Sequence, residues 1–476
     1  MAKALIIGGG IAGPVAAIAL RKAGIDAVVH EAHDRTAHGI GAFLTFAVNG
    51  MDALRALDLD TTVQHLGFDT PAMEFYSGTG KRLGGLRSGA GPSGEISQTV
   101  KRADLYAALH EEALRRGVRI EYGKRLADAA ATPGGVRAAF TDGTEAEGDL
   151  LIGADGLRSR TREIIDPDAP RARYLGLGNA GGFAHEVDVP GDPGVMHMVF
   201  GRRCFFCWTK HPNGAVWWFA NPPEPTEPTR EQLAATTPEQ WRARLTDLLA
   251  ADDSPALRIL KATDEIFAGW NTYDFPSVPI WHRGRMALIG DAVHAMSPAS
   301  GQGASMALED SVVMAKCLRD LPTAEEAFAA FEGGRRERVE RVVAYGKRNG
   351  DQKAPGPVGR VLRDLMLPLL FKGMSRKGGE ADRWLFGHHI DWEAPVAEPA
   401  GHPQARWCPG PGGRGRRAPA TPLSAMGPRR LLLRVEPPCG GPGASPYSAA
   451  HCSSPPGYRS ALDSGARCAH NQPIGC

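Results

Sequence analysis

The sequence predicts an α/β fold in which a doubly wound parallel sheet is interrupted by a mixed or antiparallel β-sheet and followed by C-terminal helices. Three observations carry that expectation. A short apolar strand pattern at the N-terminus runs into a glycine-rich turn and then a helix pattern. From about residue 176 the texture changes to apolar runs separated by Pro, Gly and Asn, the mark of strands joined by turns. Buried-strand texture returns near residue 285 and leads into long helical patterns.

Taken in order, Lys3–Ile7 reads as a buried parallel strand, Gly8–Gly13 as a turn and Pro14–Ala23 as a helix. Pro14 suits the first helical turn, where a missing N–H costs nothing, and Gly24 suits the C-terminal cap. Ala27–Glu31 is a second strand, so the chain opens on a Rossmann-like strand–turn–helix–strand unit. Helical periodicity recurs at Asn49–Leu59 and Arg102–Arg116, and short strands are expected at Arg119–Tyr122, Val136–Thr141 and Asp149–Ile152. Met196–Phe200, Cys204–Thr209 and Ala215–Ala220 read as successive antiparallel strands, with His211-Pro-Asn-Gly214 as a hairpin turn. A further strand is expected at Arg285–Gly290. Helices follow at about Ala304–Leu318, Glu325–Asn349 and Val358–Phe371.

This gives a nucleotide-binding domain in two parts, residues 1–175 and 271–393, around a β-sheet substrate domain at 176–270. Residues 73–94 are expected to contribute to that β-sheet domain. Residues 394–476 form a Pro/Gly/Arg-rich tail with nine Arg, no Lys and three acids, so the tail is about +6 and the body about −4. Such a composition buries too little apolar surface to fold, and disorder is expected. Its abrupt onset is what a shifted reading frame in a GC-rich gene would produce.

The whole-chain net charge of +2 argues for neither nucleic acid nor a membrane surface as partner. The N-terminus lacks the pattern of a signal peptide. The apolar stretch Val361–Phe371 is broken by Arg363, Asp364 and Pro368 and falls short of the roughly 20 residues a membrane span needs. Three scattered thiols in the body, Cys204, Cys207 and Cys317, fit a reducing, cytoplasmic protein. Cys204 and Cys207 form a C-x-x-C, but positions three apart on a strand point to opposite faces. Neither a redox pair nor a metal site is expected there.

Chemistry concentrates in three segments. Gly8-Gly-Gly10-Ile11-Ala12-Gly13 fits G-x-G-x-x-G between strand and helix. The first glycine permits the tight turn, the second admits a pyrophosphate to the backbone, and the third brings helix against strand. Glu31 closes the second strand, where an acid accepts hydrogen bonds from ribose hydroxyls. The second segment is Asp149-Leu-Leu-Ile-Gly-Ala-Asp155-Gly156, and the third is Arg285-Met-Ala-Leu-Ile-Gly290-Asp291. After the third come Pro298 and Gly301-Gln302-Gly303-Ala304 at the start of a long helix.

In these three segments, at these spacings, nearly the whole body resembles the FAD-dependent monooxygenases of the para-hydroxybenzoate hydroxylase type. The resemblance implies that Gly8, Gly10 and Gly13, with Ile11 and Ala12, hold the FAD pyrophosphate and Glu31 the adenosine ribose. It implies that Arg102 reaches the cofactor phosphates, Asp155 serves FAD and NAD(P)H, and Asp291 binds the ribityl chain. Pro298, Gly301, Gln302, Gly303 and Ala304 would lie near the isoalloxazine, whose reduced form a helix N-terminus stabilises. Asn often stands in that family where this chain has Ser305. His294 is either a packing residue or a flavin-edge contact, and Arg158 and Arg162 either attract a nicotinamide cofactor or form a solvated basic face.

The implied reaction is hydroxylation of a small aromatic or polycyclic substrate, such as a secondary metabolite. It proceeds by hydride transfer from NAD(P)H, addition of O₂ at flavin C4a and delivery of electrophilic oxygen. Met198, Phe205, Trp217 and Phe219 are candidate substrate contacts, with Met196, Phe200 and Trp208 further candidate walls. No residue is marked as a catalytic base. A flavin epoxidase, a Baeyer–Villiger oxygenase and a non-catalytic FAD-binding module remain alternatives. A monomer or homodimer is expected.

Overall fold

A computed structural model describes residues 2–34, 41–87, 91, 94–353, 356–376 and 382–396. Its central sheet has six strands in the order His282–Arg283, Met286–Leu288, Leu150–Gly153, Lys3–Ile7, Asp26–His30 and Arg119–Glu121. All neighbours run parallel except the two-residue edge strand His282–Arg283. Lys3–Ile7 is apolar after its first residue because a central parallel strand is covered on both faces. Its side chains join one core with the helices Ala12–Lys22 and Gly303–Asp320 and with the three-stranded sheet Leu126–Thr132, Gly135–Phe140, Glu145–Gly148. The first helix ends as its sequence suggests: Gly24 has φ +82° and donates its N–H to Arg21, while Ile25 donates to Leu20.

The second large sheet has seven strands, ordered Thr263–Asp274, Arg173–Ala184, Val216–Asn221, Phe205–Lys210, Met196–Phe200, Ala72–Ser77 and Arg82–Arg87. It is mixed, because Met196–Phe200 pairs parallel with Ala72–Ser77 while the other neighbours run antiparallel. Alternation divides its side chains cleanly. Val199, Phe206, Trp208, Trp218 and Ala220 pack on the helices Pro238–Leu249 and Ala256–Lys261. Met196, Phe200, Phe205 and Cys207 face the other way, toward Phe75, Leu367 and Phe371. Cys204 and Cys207 accordingly lie in separate clusters.

Two features of this sheet go beyond the sequence reading. The 12-residue strand Arg173–Ala184 contains four glycines and three register shifts against Thr263–Asp274, so its strand propensity is weak and its period broken. The helices Arg230–Ala235 and Pro238–Leu249 were also not anticipated, although each opens on a capping box, Thr229 with Gln232 and Thr237 with Gln240.

The body continues past residue 393. Arg319 donates to the carbonyl of Trp392 at 2.6 Å, and the Val396 N–H donates to Asp320 at 2.8 Å. The remainder of the expected tail lies outside the described residues. Among the described residues no helix is long and apolar enough to cross a membrane.

Candidate active site

One cavity of about 1230 Å³ runs from the glycine turn to the mixed sheet. At its first end the three glycines behave differently, and each difference has a steric cause. Gly8 has φ +107°, and a Cβ there would lie 2.4 Å from the Ala154 carbonyl oxygen. A Cβ on Gly13 would lie 1.9 Å from the Gly8 carbonyl oxygen, so this glycine sets the approach of helix to strand and does not reach the cavity wall. Gly10 lines the cavity, and a Cβ on it would meet nothing nearer than the Tyr106 hydroxyl at 3.8 Å. That space is where a ligand can approach bare backbone. Ile11 and Ala12 complete this wall.

Glu31 stands beside the turn and accepts from the Gly9 N–H at 2.5 Å and the His33 N–H at 2.9 Å. Each carboxylate oxygen retains a lone pair for a ribose hydroxyl. His110 supports the turn from beneath, with Nε2 2.5 Å from the Gly9 carbonyl and Nδ1 2.8 Å from the Tyr122 hydroxyl. Nothing in the local sequence singled it out. Arg102, at the first turn of the helix Arg102–Arg115, lines the same stretch.

Asp155 and Asp291 line the cavity from two neighbouring strand ends. Asp155 accepts from Ser159 Oγ at 2.5 Å and from the Thr161 N–H and hydroxyl at 3.0 Å each, so much of its capacity caps the following helix. Burial pushes its carboxyl up, against those hydrogen bonds. Burial likewise pushes the Asp291 carboxyl up, opposed by the charges of His294 and Arg102.

Pro298, Gly301, Gln302, Gly303 and Ala304 form the next part of the wall, where the helix Gly303–Asp320 begins. Asn49 holds the Gln302 amide oxygen at 2.9 Å and Glu309 at 2.7 Å. Gln302 Nε2 is buried and has no acceptor among the described residues. A planar, oxygen-bearing ring bound at this helix N-terminus would supply one. The residues therefore fit FAD along the length of the groove: open backbone at Gly10, an acid at Glu31, an unsatisfied side-chain donor at Gln302, and the first helix N–H groups at Gly303 and Ala304.

His294 packs. Its Nε2 lies 2.5 Å from Asp310, its ring adjoins Trp281, and it is not part of the cavity wall. Arg158 is exposed at the rim. Arg162 is instead buried, donates to the carbonyls of Ala292 and Leu157 at 2.8 and 3.0 Å, and lies over Phe275. It is neither a solvated face nor free to recruit a nicotinamide.

Beyond the flavin groove the cavity becomes an apolar chamber. Met196, Met198, Phe200, Phe205 and Phe219 line it, all on one face of the mixed sheet. Two expected contacts fall elsewhere. Trp217 shares the face of Phe219 but sits one pair further along the strand, packed against Phe43, Phe68 and Phe183. Trp208 is on the opposite face, stacked on His197. The chamber is closed by residues remote in sequence: Met73, Phe75 and Leu86 from the strand pair near residue 80, and Leu367 and Phe371 from the helix Pro357–Arg376. Lys353, which lacked any motif, also lines it.

A family model described as "FAD binding domain" matches residues 1–345. The chain is 30% identical over 356 residues to the FAD-dependent urate hydroxylase of Klebsiella pneumoniae, covering 73% of this chain and 90% of that protein. It is also 30% identical over 356 residues to the aurachin C monooxygenase/isomerase of Stigmatella aurantiaca, covering 73% and 88% respectively. The solved structure of Klebsiella pneumoniae HpxO complexed with FAD and uric acid superimposes with a TM-score of 0.70 at 26% identity, over 81% of this chain and 97% of that one. With the glycine turn, the two acidic strand ends and the apolar chamber joined in one cavity, these likenesses establish that the chain belongs to the family of FAD-dependent aromatic monooxygenases.

Proposed function

We propose that this protein is a single-component oxygenase that uses NAD(P)H and O₂ to hydroxylate a small aromatic or polycyclic substrate. The observation that carries this reading is the continuity of the cavity, from Gly10 through Gln302 to the aromatic chamber at Phe205 and Phe219. Among the relatives are proteins named for urate and for 6-hydroxynicotinate, small ring compounds in keeping with such a chamber.

Bound FAD supplies the redox chemistry: it accepts a hydride and activates oxygen. The protein's part is binding, orientation and exclusion of water. Gly8–Ala12 and Glu31 anchor the dinucleotide end, while Asp291 is placed to accept ribityl hydroxyls. The N–H groups at Gly303 and Ala304 favour negative charge developing at the ring system. Met196, Met198, Phe200, Phe205 and Phe219 present flat, apolar surface to an aromatic substrate. The sequence carries one dinucleotide fingerprint, so a nicotinamide cofactor docks transiently at the rim, beside Arg158. The buried free thiols Cys204, Cys207 and Cys317 suit a reducing cytoplasm, and the protein works as a monomer or homodimer.

Asp291→Ala removes hydrogen bonds worth about 0.5–1.5 kcal/mol each and should weaken FAD retention, read as the flavin absorbance remaining after gel filtration. The reaction itself is tested by NAD(P)H consumption. Oxidation should be slow without substrate, rise sharply with a suitable aromatic ligand, and place one atom of labelled O₂ in the product. A tightly bound ligand that neither accelerates oxidation nor gains label would make the protein an FAD-binding module without turnover.

A further inference from the structure

Lys353 is an unusual residue to find in an apolar chamber. It is 8% exposed, and its Nζ lies 4.2 Å from the centroid of the Phe205 ring and 5.4 Å from that of Phe219, two walls of the cavity. Burying an ammonium is costly unless it is paired. Arg335 and Arg363 show the usual resolution: the first meets Glu309 and Asp310, the second Asp364 and the carbonyls of Gln352 and Phe200. Lys353 has no such partner. Among the described residues no carboxylate forms an ion pair with it, and its one hydrogen bond is to Asn221 Oδ1 at 2.6 Å.

That single bond is itself held by a directed chain. Asn221 Nδ2 donates to Asn179 Oδ1 at 2.9 Å and to the Gly178 carbonyl at 3.3 Å, which turns the amide oxygen of Asn221 toward the lysine. Asn179 Nδ2 donates in turn to Thr272 at 2.8 Å and to the Trp270 carbonyl at 3.3 Å. The lysine is thus fixed at the chamber wall, and among the described residues two of its three N–H groups have no acceptor. Its other close ionisable neighbours, Cys204 and Cys207, are thiols that burial pushes up and so keeps neutral. Burial draws Lys353 itself down to about 8, which leaves it largely charged at neutral pH.

We infer that Lys353 is the counter-charge for an anionic oxygen, whether phenolate, enolate or carboxylate, carried by the aromatic substrate. The inference deepens the monooxygenase reading and rests on it for the word substrate. Aromatic rings of the ligand lie against Phe205 and Phe219, and its charged oxygen completes the ammonium's hydrogen bonds. A neutral ligand of the same shape leaves the buried charge unmatched.

The test uses the purified holoenzyme and two probes of one shape, 1-naphthoate and neutral 1-naphthamide, with binding measured by calorimetry and FAD content by absorbance. Naphthoate should bind at least about tenfold more tightly, the smallest ratio expected of a charge-assisted hydrogen bond. In Lys353→Met the ratio should fall to about one with FAD content retained, and Lys353→Arg should keep the preference. Should Lys353→Met fail to fold, the wild-type ratio alone decides. Equal binding of the two probes, no binding of either, or a preference that survives Lys353→Met overturns the inference. A colourless protein that still prefers naphthoate would instead leave the lysine's role standing and remove the flavoenzyme reading.

Discussion

Replacing Arg335 by methionine is expected to cost about 3 kcal/mol of stability, measured by chemical denaturation of the FAD-saturated protein. Arg335 is 1% exposed and stands between two carboxylates that are wholly buried. Its Nε donates to Asp310 at 2.8 Å and one terminal nitrogen to Glu309 at 2.5 Å. Removing one member of a buried ion pair leaves the other uncompensated, at about 3–5 kcal/mol. The lower end of that range applies, because Glu309 keeps Arg338, bidentate at 2.8 Å, and Asp310 keeps the Gly290 N–H and His294. A double change that adds Asp310→Asn should recover part of the loss. If Arg335→Met unfolds at the same denaturant concentration as the parent, the cluster is not stabilising the fold.

The same cluster predicts an acid sensitivity. Burial opposes ionisation of Glu309, but Arg335 and Arg338 outweigh it and hold the carboxyl down from 4.5 to about 2. Asp310 is held low by His294 and Arg335 despite its burial. A depressed carboxylate stabilises the folded state above its unfolded pKa, and that contribution is lost as pH falls toward the folded value. Stability should therefore decline from about pH 4.5 toward pH 2, and less steeply in Arg335→Met.

The second large effect is expected at the glycine turn. Gly13→Ala places a methyl 1.9 Å from the Gly8 carbonyl oxygen, a backbone atom that cannot swing away. The helix Ala12–Lys22 must back off from the strand it packs against, at about 1–3 kcal/mol or more, and FAD retention should fall with it. Gly10→Ala is the control. Its methyl meets nothing nearer than 3.8 Å in the protein, so folding should be unchanged while FAD retention drops, the methyl filling the space we propose for the pyrophosphate. Equal melting temperatures for Gly13→Ala and the parent would show that the third glycine is not a packing requirement.

Much of this architecture could be read from residues alone where local pattern and tertiary role coincide. Lys3–Ile7 is apolar because it is central and parallel, and Met196–Phe200 alternates because one face meets helices and the other a cavity. The glycine turn was legible because its G-x-G-x-x-G spacing is local, as are the positive φ of Gly8 and the closeness of Gly13 to the Gly8 carbonyl oxygen. Legibility stops where the partner is distant. Arg173–Ala184 is a strand because Thr263–Asp274 and Val216–Asn221 flank it, and its own glycine-rich text says little. Trp217 and Phe219 share a face and a residue class, so only the position of the Phe43–Phe68 cluster distinguishes core from chamber wall. Lys353 carries no motif at all, and its meaning depends on Asn221 and Phe205, more than a hundred residues earlier.

The strand order of the central sheet also has a bearing on how the chain acquires its cofactor during synthesis. The glycine turn follows the first strand and leaves the ribosome early, beside its neighbour Asp26–His30. On its other side stands Leu150–Gly153, next to which lies Met286–Leu288. The far wall of the groove, Pro298–Ala304, comes later still. Emergence is vectorial, at about 5–20 residues per second, so the nascent chain exposes the glycine turn for many seconds before any enclosed groove exists behind it. Enclosure of the groove is consequently a late event, and a chain stalled before residue 298 displays the glycine turn without the far wall of the groove.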